Sequence, residues 1–366
     1  MKILFFVYLL SIGLSPLCYG EGSRIPQFKK IPKDAIPHPG VEGNRDLQEQ
    51  ERIRATDGPT RLGFAIEFDD LRNYWSVMTA ARLPRQIISI RIGDGPANGK
   101  YKITADDGTI EVVDERAWYW QAPREPGLYR IEIKEQITEE VMILNMAVLH
   151  RWDGAPVFNN YKIGQYQEEW YKDLSIYKKP VGFIEVTEEN KDTWVSPHFR
   201  LKQFVCKQTD TYPRYILLEA RLLLKLELLI ENLENKGFRT DGFYLMSGYR
   251  TPAYNRAIGN STTYSRHLYG DAADIYVDVN GDGRMDDLDL DGVSGDSDAD
   301  ILFEAVHEIL TEPWHDQLIG GLGFYKNRSY RGPFIHIDTR GYDIEWGKPK
   351  PKQPETKAAE AGEAEE

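Results

Sequence analysis

The 366-residue sequence predicts the α+β class, and three observations point to it. Residues 60–150 read as short β runs separated by Gly, Asn and Asp clusters. A stretch with apolar residues at helical spacing, RYILLEARLLLKLELLIENLENKG at 214–237, reads as a long helix. Beyond it, AADIYVD at 272–278 and PFIHIDTRG at 333–341 alternate as half-buried strands do. Strands grouped first, then helices and strands together, give an antiparallel sheet with flanking helices, preceded by a small β-sandwich-like domain.

Taken in order, residues 1–20, MKILFFVYLLSIGLSPLCYG, hold one lysine, an apolar core, Pro16 and small residues near Gly20. That is the form of a secretory signal peptide, too short and too weakly flanked for a transmembrane anchor. The expectation is an exported protein, periplasmic or secreted. Lipidation of Cys18 is the rival reading, although SPLC lacks the small residue usual before a modified cysteine. Residues 21–58, with prolines at 26, 32, 37 and 39 and a charged run, read as a linker.

The β region spans 59–150, with runs RQIISIRIG, GKYKITA, GTIEVVD, AWYWQA, GLYRIEIKE and EVMILNMAV. Their short spacing suggests a sandwich. WYWQAPREPGLYRIEI resembles strands of immunoglobulin-like domains, without a cysteine pair to support it. Trp118 and Trp120 would either line a binding face or pack, and packing is favoured, with at least one of them in the core. Residues 151–195, rich in Tyr, Gly and Lys, form an ordered connector. A second domain follows over 196–347. Its long helix stops at Gly237, GFYLM is a strand leading into SGYRTP, and DADILFEAVHEILTE is a helix capped by Ser297 or Asp298. The low-complexity tail, 348–366, is expected to be disordered.

Net charge is −13, and most of it is local. Residues 278–300 hold nine aspartates against Arg284 alone. No basic surface is left for nucleic acid, which is excluded as a partner. No integral membrane segment is expected after the signal, because Glu219, Arg221, Lys225 and Glu227 interrupt the Leu-rich run at 216–230. With Cys18 removed, Cys206 is alone, so no intramolecular disulfide forms. It reads as a small buried hydrophobe, with a catalytic thiol as the alternative.

The stretch SRHLYGDAADIYVD sets His267 seven residues before Asp274. If the strands at 272–278 and 334–338 are neighbours, His267, Asp274 and His336 converge. Two imidazoles and a carboxylate leave a fourth tetrahedral position open, as catalytic zinc requires. Spacing alone is a weak signal: such pairs are common, and His198, His307 and His315 are not excluded by type. Separately, DVNGDGRMDDLD places Asp278, Asn280, Asp282, the Gly283 turn, Asp286 and Asp289 at calcium-loop spacing. The rival is a solvated acidic loop.

SGYRTPAYNRAIGN, SRHLYGDAADI and GGLGFY…FIHIDTRG…W together resemble the zinc D-alanyl-D-alanine metallopeptidases of the cell wall. These are relatives of the vancomycin-resistance dipeptidases and of the hedgehog signalling domain. The family pattern Ser-x-His-x-x-Gly-x-Ala-x-Asp is met at Ser265, His267, Gly270, Ala272 and Asp274, and its later histidine at His336. The resemblance covers roughly 196–347. It implies zinc on His267, Asp274 and His336, with Arg250 steadying the oxyanion and Ser265 contacting substrate. It also implies a carboxypeptidase or endopeptidase acting on peptidoglycan peptides beside D-amino acids. Several members carry a Glu or His three residues before the last zinc histidine as general base; here that position is Pro333. Asp338, on the His336 face of the strand, is the expected replacement, with an orienting role as its rival. His315 and Asp316 come next. Two other classes stay open: a non-enzymatic metal-binding or wall-binding protein on this scaffold, and a cysteine hydrolase using Cys206.

Overall fold

The computed structural model describes residues 60–311 and 313–348, without the side chains of 313–315. The signal, the linker, Cys18 and all but the first residue of the tail lie outside the described residues.

Nine strands come first: β1 (Arg61–Phe68), β2 (Leu71–Trp75), β3 (Val77–Arg82), β4 (Ile87–Asp94), β5 (Tyr101–Ala105), β6 (Thr109–Asp114), β7 (Ala117–Gln121), β8 (Gly127–Glu135) and β9 (Val141–Val148). One sheet runs β2-β1-β4-β7-β6 and the other β3-β9-β8-β5. In β4, Ile88, Ile90 and Ile92 are buried while Ile87, Ser89 and Arg91 are exposed, so this strand gives one face to the core. Trp118 and Trp120 are both buried, while Tyr119 between them is exposed. The two-residue period of a strand puts both indoles on the inner face.

Smaller pieces follow: β10 (His150–Arg151), β11 (Val157–Phe158), β12 (Tyr161–Lys162), β13 (Gly182–Val186), β14 (Trp194–Ser196), β15 (Phe199–Arg200) and β16 (Arg214–Ile216). The last of these corrects the expected long helix. Arg214, Tyr215 and Ile216 pair antiparallel with Val186, Glu185 and Ile184. Buried aromatic and β-branched side chains with a strand to pair with outweigh the helical spacing. Helix α1 then covers Ala220–Asn235, and Gly237, at φ 87°, ends it as expected. Every residue from Leu222 to Ile230 is buried, Lys225 and Glu227 included.

Two more helices are α2 (Pro252–Ala257) and α3 (Asp296–Ile309). Thr251 caps α2, its hydroxyl accepting from Tyr254 N at 3.0 Å. The N-cap of α3 is Gly295, with Asp298 reaching back to its amide at 2.7 Å. α1 lies against β3 and β14 on one side and α3 on another.

A five-stranded sheet carries the sequence motifs. It consists of β17 (Tyr244–Ser247), β18 (Ala272–Tyr276), β19 (Gly321–Tyr325), β20 (Phe334–Asp338) and β21 (Ile344–Trp346), in the order β17-β18-β20-β19-β21. The pairs are antiparallel except β19 with β21, so the expected antiparallel sheet has one parallel edge. The chain is thus mixed α+β, with strands predominating. Among the described residues, no helix is long and apolar enough to cross a membrane.

Candidate metal centre

β18 and β20 are neighbours, and their register sets Asp274 directly opposite His336. Residues paired across two strands point to the same face, so carboxylate and imidazole meet. His267 reaches the same point from a short 3-10 turn, Arg266–Tyr269, that ends at Gly270. Gly270 has φ 76°, and a Cβ there would sit 2.4 Å from the Leu217 backbone. Only glycine fits that turn. His267 Nε2 lies 3.2 Å and His336 Nδ1 2.9 Å from Asp274 Oδ1. All three residues are buried, with their ligand atoms within 4.8 Å of one another.

The remaining ring nitrogens are already committed. His267 Nδ1 is 2.7 Å from the Gly248 carbonyl oxygen, and His336 Nε2 is 3.1 Å from Asp338 Oδ2. Both free ring positions therefore face Asp274. Tetrahedral zinc at ~2.0–2.1 Å from each ligand would set ligand atoms ~3.3 Å apart, close to the spacing found. Burial, then Arg250, pushes the His267 imidazole down to about 4, so it is neutral at pH 7. Burial alone would raise the Asp274 carboxyl, but His267 and Arg250 hold it well below the usual range. Burial would lower His336, yet its bonds to Asp274 and Asp338 raise it. The donor set suits a divalent cation in place of the proton between His336 and Asp274.

Asp338 meets the His336 ring at Nε2, the nitrogen turned away from Asp274. It pairs with Ala272 across the strands, is fully buried, and accepts from Gly321 N at 2.7 Å and Arg340 N at 3.1 Å. The Arg340 guanidinium grips both its oxygens. Against the effect of burial, His336 and Arg340 keep its carboxyl far below the ordinary range. A general base needs a lone pair free towards the water, and these are occupied. Lys225, in the middle of α1, donates to the Asp338 carbonyl at 3.0 Å.

Arg250 enters from the turn after β17. Its Nε donates to Ser247 Oγ at 2.6 Å, and Nη2 pairs with Asp274 Oδ2. Ser265 is buried two residues before His267, at the N-cap of the same turn, with its carbonyl accepting from Leu268 N at 3.0 Å. Trp346 covers the His336 ring, with ring centres 5.1 Å apart.

Residues 197–287 match a family model described as Peptidase M15. They are of the peptidase M15 family. The resemblance read from the motifs is borne out, and the M15 stretch holds His267 and Asp274; His336 lies beyond it and joins through β20. No curated protein matches the chain. Among solved structures, domains 4 and 5 of the S-layer protein SbsC are 17% identical at TM-score 0.16, over 23% of this chain and 51% of that one. The LD transpeptidase LdtMt1 in complex with imipenem is 12% identical at TM-score 0.15, over 24% and 41%. The M1 domain from titin is 12% identical at TM-score 0.14, over 20% and 86%. None of these three bears on fold or function.

The acidic loop starts inside the M15 stretch, just after β18. Asp278 accepts from Asp282 N and Gly283 N, each at 3.0 Å, Asn280 Oδ1 accepts from Asp282 N at 2.8 Å, and Asp286 accepts from Val279 N at 2.7 Å. The same bonds recur nine residues on. Asp287 accepts from Asp291 N and Gly292 N, and Asp289 from Asp291 N. Asp289, expected to close the first loop, lies with Asp287 and Asp298. The repeat was legible as Asp-x-Asp-x-Asp-Gly at 287–292.

Two other histidines are committed elsewhere. His198 Nδ1 is 2.6 Å from Glu227, and the half-buried His307 is 3.2 Å from Glu345. The side chain of His315 is outside the described residues, and Asp316 is exposed. Cys206 is fully buried, its thiol pushed up by that burial, which leaves the hydrolase reading without an accessible thiolate. The sequence reading missed Arg340, Gly248 and Trp346. Arg340 had a signal: it is two residues after Asp338 in HIDTR, on the same strand face if the strand continues.

Proposed function

We propose that the chain is an exported, zinc-dependent peptidase that cleaves peptidoglycan stem peptides or cross-links beside D-amino acids. The observation that carries this reading is the convergence of His267 Nε2, Asp274 Oδ1 and His336 Nδ1 in a chain whose residues 197–287 are peptidase M15. Those three atoms would hold the ion. Zinc bound there would polarise a carbonyl and lower the pKa of a water towards ~7.

The rest is done by side chains. The Gly248 carbonyl and Asp338 fix the two imidazole rings so that each offers one nitrogen to the site. Arg250 holds the second oxygen of Asp274 and brings positive charge next to the developing oxyanion. Ser265 supplies a hydroxyl beside His267 for substrate. Asp338 is proposed as the group that orients His336, not as the base.

One observation favours a second reading, a metal-binding or wall-binding protein without turnover. Among the described residues, the carboxylates bonded to the two imidazoles are Asp274 and Asp338 alone, and neither is free to take a proton. Incubation of the purified chain with cross-linked muropeptides, with and without chelator, separates the two. Chelator-sensitive release of peptide supports the peptidase. Zinc-loaded protein that releases nothing while still retaining muropeptides supports the binder.

Calcium is proposed for the acidic loop, on Asp278, Asn280, Asp282 and Asp286, while Asp289 belongs with Asp287 and Asp298. What supports it is the sequence spacing together with the inward wrapping of the loop amides on Asp278 and Asp286. Because the loop leaves β18 two residues after Tyr276, an ion there would stiffen the strand that carries Asp274.

A further inference from the structure

Of the three candidate ligands, His267 alone is not carried by the sheet. Asp274 and His336 are fixed by the ladder between β18 and β20, whereas His267 sits on the turn Arg266–Tyr269. So short a turn has few backbone bonds of its own, and its place is set by what holds it. Three holds come from elsewhere in the same half of the chain. His267 O accepts from Arg250 N at 3.0 Å, Gly270 O from Glu219 N at 3.0 Å and Asp271 O from Thr339 N at 3.1 Å. Two further holds come from residues 151–195, outside the stretch that matches the peptidase model.

The first is Tyr166. Its buried hydroxyl donates to the Leu268 carbonyl at 2.8 Å and lies 3.0 Å from the Tyr249 hydroxyl. It thereby ties the His267 turn to the turn that carries Arg250. A buried carbonyl without a donor is costly, so the turn keeps this bond. The connector is itself pinned nearby. Ile163 O accepts from Ala253 N at 3.0 Å, and a Cβ on Gly164 would fall 2.7 Å from the same nitrogen.

The second hold surrounds Arg266. Arg266 and Asp271 form a buried ion pair, with Nε 3.0 Å from both carboxylate oxygens and Nη2 2.6 Å from Oδ2. The pair joins the residue before His267 to the residue after Gly270. Tyr177 and Tyr269 lie on the guanidinium, each ring centre 4.6 Å from its carbon. Nη1 donates to the Ile176 carbonyl at 3.1 Å. The connector thus supplies a ring and an acceptor to a charge that needs both once buried.

We infer that Tyr166 and Tyr177 are positioning residues for His267, which makes residues 151–195 a working part of the centre and not a spacer. This rests on zinc being held by His267, Asp274 and His336 as proposed above. Ligands of a metal must be kept within about 0.5 Å of their places. Without these two holds, the His267 ring would meet Asp274 over a wider range of positions.

The test loads the full chain with cobalt(II) in place of zinc, because the visible absorption of cobalt(II) follows the geometry of its ligands. Zinc affinity is measured alongside by competition with a chelating dye, and turnover of cross-linked muropeptides as a third reading. Tyr166→Phe, which removes one oxygen atom, should weaken zinc binding about tenfold and alter the cobalt band. Tyr177→Leu should do the same, while Tyr177→Phe keeps the ring against Arg266 and should keep both readings. A residue that only stabilises the fold would lower the melting temperature and leave the band alone. That outcome in Tyr166→Phe, or unchanged zinc affinity, overturns the inference, and undiminished turnover beside it leaves the peptidase reading standing. A band moved as far by Tyr177→Phe as by Tyr177→Leu overturns the part given to the ring. Wild-type protein that takes up neither metal overturns the zinc reading and this one with it. Metal affinity and band that depend on both tyrosines, with no turnover, keep the inference and sink the peptidase.

Discussion

Trp346 lies across Gly323, and the missing side chain is what lets the indole reach His336. The three residues stand in register on β21, β19 and β20, and a Cβ on Gly323 would fall 2.4 Å from the indole. Gly323→Val should displace Trp346, uncover the imidazole and destabilise the protein by about 1–3 kcal/mol. Tryptophan fluorescence and thermal melting check this. An unchanged spectrum with an unchanged melting temperature would show that the indole does not depend on the glycine.

His267→Ala and His336→Ala should each remove stoichiometric zinc, since two remaining ligands bind weakly. Elemental analysis after dialysis is the measurement. Full occupancy in both variants would place the metal elsewhere.

Asp338→Asn separates orienting from proton transfer. If Asp338 holds His336 in place, zinc affinity should fall about tenfold to a hundredfold, and excess zinc should restore much of the turnover. If turnover stays low at saturating zinc, the carboxylate takes part in the chemistry after all. A metal titration followed by rate measurement at each point decides between them.

Arg340→Met leaves the fully buried Asp338 carboxylate without its guanidinium. Removing one partner of a buried ion pair typically costs about 3–5 kcal/mol. Chemical denaturation should register that loss whether or not metal is present. A change below about 1 kcal/mol would mean the other donors to Asp338 suffice.

Asp282→Ala should abolish the rise in melting temperature that calcium gives the wild type, because binding to the native state adds RT ln(1 + [L]/Kd). An equal calcium shift in wild type and variant would remove Asp282 from any ion site.

The meeting of Asp274 and His336 was legible because its geometry is written in two short strands with a two-residue period. Once β18 and β20 are adjacent, Asp274 and His336 must meet. Adjacency itself was not legible, since 62 residues separate the two in sequence. The surroundings of Asp338 were not legible for a related reason. Sharing a face with His336 says nothing of which ring nitrogen it meets. Its bonds to Arg340, Gly321 and His336 Nε2 favour the orienting role over that of base. The start of α1 was hidden too, because the apolar spacing runs on through residues that pair with β13.

A helix buried on every side has no outer surface to give to water. Over Leu222–Ile230 α1 is such a helix: β3 and β14 lie against it, and Arg61 is hydrogen-bonded to Glu231 just beyond that stretch. Its Lys225 meanwhile reaches the strand that carries His336. The N-terminal sheets are therefore part of the wall of the half that carries His267, Asp274 and His336, whatever else they contact. A shortened chain beginning near residue 196 would expose a row of leucines, and such surfaces gather molecules into aggregates. Whoever trims this protein for expression should keep both halves together.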